Sequence, residues 1–201
     1  MSVAAPAVQL LLLPAHKAAG MDAAAPAGVL SLWQTAYGDP CVPQHDWQRP
    51  RSGDWQIQLE QAVLHSQLPV VLLAEGLGCQ LVARWAQHSR HARRVVAALL
   101  LAPLDVETAQ YQHQLPSWQP MARMPLPFAS QLLLPWPMAG EPLQRMQQMA
   151  AHWGSSLRWI DEGQGPQPQE ALLRSLRLVL QEVLASVTAA LPGQGTHWPT
   201  D

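Results

Sequence analysis

The chain has 201 residues, a formal net charge of −2 and only 13% charged residues, with no run of five Lys or Arg, which excludes a nucleic-acid groove and a polybasic membrane patch. Two cysteines, Cys41 and Cys79, are too few for a disulfide framework and lack metal-site spacing, so a reduced, cytoplasmic setting is implied, with no metal and no cofactor. The longest early apolar run has neither the preceding basic residues of a signal peptide nor the length of a membrane span.

In chain order, residues 8–13 form the first apolar run and are expected as a buried strand. Residues 18–28, rich in Ala and Gly, are expected to be poorly ordered. Asp54 is placed as the N-cap of a helix whose Trp55, Leu59, Ala62 and Val63 share one face. Residues 70–74 predict the second strand, 77–88 a helix, 95–102 and 131–134 two further strands, and 157–160 a weaker fifth. Pro142 suits the first turn of a helix carrying Leu143, Met146, Met149 and Ala150 on one side. From 169 to 191 a wide stripe of Leu172, Leu173, Leu176, Val179, Leu180, Val183 and Val187 predicts the longest helix. Residues 192–201 are a tail expected to be disordered.

Alternating strands and helices of this kind build a three-layer, doubly wound, mostly parallel α/β sheet, a single domain over 1–191. Ligands in such sheets bind beyond the carboxyl ends of the strands, after Leu13, Ala74, Ala102 and Leu134.

The second strand runs directly into Ala74-Glu75-Gly76-Leu77-Gly78 and a helix, the layout of the nucleophile elbow of α/β-hydrolases. Other segments agree in order: Asp46-Trp47 with Pro50 and Asp54-Trp55, Ala102-Pro103-Leu104-Asp105-Val106, Pro125-Leu126-Pro127-Phe128, and Ala150-Ala151-His152-Trp153-Gly154. Together they resemble the small serine hydrolases that include retinoblastoma-binding protein nine and YdeN. The resemblance covers about residues 8–184 and implies an α/β-hydrolase fold with a Ser, Asp, His triad. Carried over position by position, the triad falls on Gly76, Met138 and either Gln164 or Gly165, with Glu75 in place of the histidine that precedes the family's serine. Pro14-Ala15-His16 stands where the family has its oxyanion loop.

Glycine at the elbow brings no nucleophilic atom, yet it accepts the strained backbone that such a turn imposes. This pattern predicts that the chain is not an enzyme but a catalytically inactive, hydrolase-like module for protein interaction or regulation. An alternative is a non-catalytic binder of a small apolar ligand in the old acyl pocket; a third is an enzyme with an unconventional site, such as Glu75 with water or Cys79. Pocket or binding candidates are Ala15, His16, Glu75, Leu77 and Trp136. The low charge favours a protein partner or self-association. Cys79 is expected in the core. His88 and His91 have no carboxylate or thiol beside them in the sequence, so no metal is expected there. Trp47, Trp55, Trp85 and Trp153 are expected to pack, whereas Trp33, Trp118 and Trp159 have no assignment.

Overall fold

The structure is a computed structural model and describes residues 8–16, 28–161 and 168–190. Five strands, β1 (Gln9–Leu13), β2 (Val70–Glu75), β3 (Val95–Leu101), β4 (Ala129–Trp136) and β5 (Ser156–Asp161), form one all-parallel sheet in the order β1-β2-β3-β4-β5. Among the described residues six α-helices accompany them: α1 (Gly28–Tyr37), α2 (Ser52–His65), α3 (Leu77–Ala86), the short α4 (Ala109–Gln112), α5 (Gly140–Trp153) and α6 (Pro168–Ala190).

Both faces of the sheet are covered, which is why the strands are continuous apolar runs rather than alternating ones. Leu11, Leu13, Val70, Leu72, Ala74, Leu100, Leu132 and Leu134 point into a core shared with α2, α3 and α5. Their neighbours Leu10, Leu12, Val71, Leu73, Leu99, Leu101, Leu133 and Ile160 point into a second core closed by α1 and α6. Each fully buried Leu or Val contributes about 1.5–3 kcal/mol. After β1 and α1 the chain returns beside β1 in one parallel bridge, Leu12 to Cys41, before crossing to β2. The direction of winding therefore reverses at β1, and the crevice at such a reversal is where a doubly wound sheet holds its ligand.

The expected strands are all present, each within two residues of its expected bounds, and two of the differences bear on the site. β3 ends at Leu101, because Ala102 has φ +43 and cannot continue the strand. β4 runs past Leu134 to Trp136, where Pro135 and Trp136 lie opposite Ile160 and Asp161 of β5.

Helix bounds shift as well. Asp54 is not an N-cap: α2 begins three residues earlier than expected, with Arg51 as its N-cap, and Asp54 lies in its first turn, still favourable beside the helix N-terminus. α3 ends at Ala86 rather than at 88. Helix α1 was not anticipated; Gly28, placed with the poorly ordered stretch, opens it at φ +72. The rest of that stretch and the 192–201 tail lie outside the described residues.

The tryptophans of the family-like segments are structural. Trp47, Trp55 and Trp118 meet edge to face in a row, with ring centroids 5.3 and 5.5 Å apart. Trp55 Nε1 donates to the Asp46 carbonyl and Trp118 Nε1 to the Pro50 carbonyl, so the Asp-Trp segment is held by the indoles it precedes. Trp153 donates to the Ala122 carbonyl. Trp33 and Trp118, unassigned from sequence, are both core residues.

Candidate active site at the β1–β2 crevice

The elbow sits at the carboxyl end of β2. Gly76 has φ +57 and ψ −114, donates its N–H to the Leu101 carbonyl, and accepts at its own carbonyl from Cys79 and Leu104. That backbone is open to glycine and strained for other residues. A Cβ at this position would lie 3.2 Å from Cβ of Ala15, so the loop after β1 closes directly over the corner. Gly78 is required for a different reason: any Cβ there would overlap the carbonyl of Leu13. The last glycine of the elbow thus lets α3 lie close against β1.

Glu75, the last residue of β2, points to the other face. Its two carboxylate oxygens accept the backbone N–H groups of Val29 and Leu30, each at 3.1 Å. It therefore caps α1, a helix distant in sequence, rather than the α3 that it precedes. Gly28 belongs to this arrangement, since a Cβ there would run into the carboxylate. Burial pushes the Glu75 carboxyl above its ordinary value, against the two backbone N–H bonds that favour the charged form.

The remaining candidates occupy different surroundings. His16 is half-buried, edge to face with Tyr111 at 6.4 Å, and burial lowers its imidazole pKa, which favours the neutral ring. The Leu77 side chain is fully buried in the α2–α3 core, so what it offers the crevice is its backbone N–H at the start of α3. Met138 packs against the same core. Gln164 and Gly165 lie outside the described residues. Trp136 stands 58% exposed at the end of β4, edge to face with Trp159 of β5.

Cys79 is fully buried, with its thiol directed at the carbonyls of Ala74 and Leu101, and burial pushes its pKa far up. It cannot supply a thiolate.

Three features escaped the sequence. Ala102 is the one described non-glycine residue with positive φ, and it lies at the carboxyl end of β3 beside the crevice. Asp105 pairs with Arg145 at 2.9 Å and accepts the Glu107 N–H, tying the loop after β3 to α5. Glu60 is the carboxylate partner that the sequence did not place near His91: it accepts from Trp85, Ser89 and His91. No grouping of metal-ligating side chains occurs among the described residues, and no described helix is long and apolar enough to cross a membrane.

Comparison with known proteins places this geometry. The family described as serine hydrolase matches residues 19–165. Among solved structures, a YdeN-like hydrolase from Pectobacterium atrosepticum superposes with a TM-score of 0.67 at 16% identity, over 92% of this chain and 93% of that one. The ydeN gene product of B. subtilis gives 0.61 at 16% identity, over 91% and 100%. The α/β hydrolase GrgF from Penicillium gives 0.58 at 12% identity, over 92% and 91%. No curated protein matches the sequence.

The expectation that the chain is not an enzyme is overturned by these findings, since a serine hydrolase match over most of the chain and a fold shared with hydrolases point to an enzyme. That expectation equated a corner without a hydroxyl with a corner without chemistry. The elbow, the reversal of winding at β1 and the matched segment together identify the chain as a member of the serine hydrolase family, built on the α/β-hydrolase fold.

Proposed function

We propose that the chain hydrolyses small carbonyl compounds, esters or amides, in the crevice between the carboxyl ends of β1 and β2, with Glu75 as general base. One observation carries this reading: a carboxylate at the elbow, buried and fixed by two backbone N–H groups, beside a corner that bears no side chain. Burial raises its basicity toward the range in which a carboxylate can take a proton from water.

Glu75 approaches from the α1 side of the corner and, through a carboxylate lone pair not taken by the Val29 and Leu30 N–H groups, removes a proton from a water molecule at the end of β2 while the water oxygen bonds to the substrate carbonyl carbon. The developing oxyanion meets the N–H of Leu77, which as the first residue of α3 has no partner within the helix. The bond from carbon to the leaving oxygen or nitrogen then breaks, and Glu75 returns its proton to that leaving group. Gly76 contributes room for the water, and Ala15 closes the site from the β1 side.

A panel of short esters, thioesters and amides tests the proposal. Turnover is expected to rise with pH through a carboxyl pKa above the usual range, and Glu75→Gln is expected to abolish turnover and that limb of the profile together. Absence of turnover across the panel, or a Glu75→Gln variant as active as wild type, refutes it. Self-association is a separate proposal, resting on the low surface charge and read by sedimentation velocity.

A further inference from the structure

Of the described tryptophans, Trp33, Trp55, Trp85, Trp118 and Trp153 each donate their indole N–H to a protein acceptor. Trp47, Trp136 and Trp159 do not; Trp47 packs against Trp55, whereas the other two are exposed, Trp136 by 58% and Trp159 by 36%. Their rings stand at 86° with centroids 5.3 Å apart, an edge-to-face pair that forms a right-angled, partly exposed corner. Pro135 and Pro137 flank Trp136 and fix the backbone that carries it, so little further ordering is needed when a ligand arrives.

The corner lies at the same carboxyl end of the sheet as the proposed active crevice. Alternation along the strands places Trp136 on the face of Leu134 and Trp159 opposite to Ile160, so both lie on the side of the sheet covered by α3 and α5. In register, Glu75 is level with Leu101, and Leu101 with Leu133. Trp136 is thus two strands across and three residues further along, about 10 Å in each direction. A ligand with its carbonyl at Gly76 needs an arm of about 10 Å to lay a ring against the indoles, once their side-chain reach is allowed for.

We infer that Trp136 and Trp159 form a second subsite that selects substrates carrying an aromatic ring on an arm of this length. The inference rests on the hydrolase reading above and names its substrate class. Ring faces and edges pack well at right angles, so a third aromatic ring can lie against the exposed indoles. The selected compounds are therefore aryl-alkanoic esters and amides, preferred over short alkyl ones.

The test compares ethyl 6-phenylhexanoate with ethyl butyrate, following acid release by wild type, Trp136→Ala and Trp159→Ala. Both positions are exposed, and circular dichroism checks that the variants are folded. The ratio of kcat/KM for the aryl ester over the butyrate is expected to fall about ten-fold in either variant, mainly through KM, the size of one lost aromatic contact. An unchanged ratio overturns the subsite while leaving the hydrolase reading in place.

Should wild type hydrolyse neither ester, the hydrolase reading fails and the subsite is judged by binding alone, from quenching of tryptophan fluorescence by 6-phenylhexanoate. Saturable quenching lost in Trp136→Ala supports it, and equal or absent quenching overturns it. A wild-type dimer that Trp136→Ala converts to monomer also overturns it, because a second copy then covers the corner.

Discussion

Replacing Gly76 by alanine is expected to lower stability by about 2 kcal/mol, and the structure separates two sources of that loss. The first is backbone strain: at φ +57 and ψ −114 a residue with a Cβ sits in a sparsely populated region, at a cost of about 1–3 kcal/mol. The second is contact, since the new methyl would stand 3.2 Å from Cβ of Ala15. Gly38 provides the control. It has φ +74, and a Cβ there would meet nothing within 4 Å, so Gly38→Ala bears the strain without the contact. For a domain of this size, 1 kcal/mol corresponds to a shift in Tm of about 2–4 °C. Differential scanning calorimetry should then place Gly76→Ala about 4–8 °C below wild type, with Gly38→Ala between the two. Equal shifts for both variants would show that Ala15 does not close over the corner. A Gly76→Ala variant as stable as wild type would refute the strained elbow itself.

Measured by urea titration, Gly78→Ala should be costlier still, about 3 kcal/mol or more, because its methyl overlaps backbone rather than a yielding side chain; Gly53→Ala, with open space around it, should be neutral or mildly stabilising. Neither thiol of the native protein should react appreciably with Ellman's reagent at about pH 8, since Cys79 is fully buried and burial pushes half-buried Cys41 up to about 11. Rapid labelling of Cys79 would contradict its place between β2 and β3. Glu75 has a raised pKa in the fold, so its contribution to stability is complete below the unfolded-state value and is lost as pH rises through the folded one. Relative to Glu75→Gln, wild-type Tm should therefore decline from about pH 4 upward, and a growing wild-type advantage over that range would invert the assignment.

The parts of this fold that are legible in the sequence are those fixed by local pattern. Leu10–Leu13 and Val70–Ala74 are buried on both faces, and that condition writes itself as an unbroken apolar run. The elbow is legible for the same reason, because the strand-to-helix corner demands glycine at 76 and the close approach of α3 demands it at 78. Helix α1 is different. Its N-terminus is satisfied by Glu75, 46 residues from Val29, and no local cap announces it. Trp33 and Trp118 looked unassigned because their burial depends on elements distant in the chain. The Trp136–Trp159 corner exists only through the register of β4 with β5. At the site, glycine in place of serine was visible, but the orientation of its neighbour was not. Whether Glu75 caps the next helix or reaches across to another depends on the pleat of β2, which sends adjacent side chains to opposite faces.

The order of strands in the sheet follows their order in the chain, and this bears on how the crevice comes into being. β2 to β5 can assemble by successive short crossovers, each new strand zipping onto the last. β1 is the exception: Leu11 must find Leu72 across all of α1 and α2, the longest closure among neighbouring strands, and it brings Ala15 with it over the elbow. The lid of the crevice is thus delivered by the strand with the greatest entropy of closure. The corner at Gly76 and Glu75 becomes sheltered only when the first strand made is docked onto the rest.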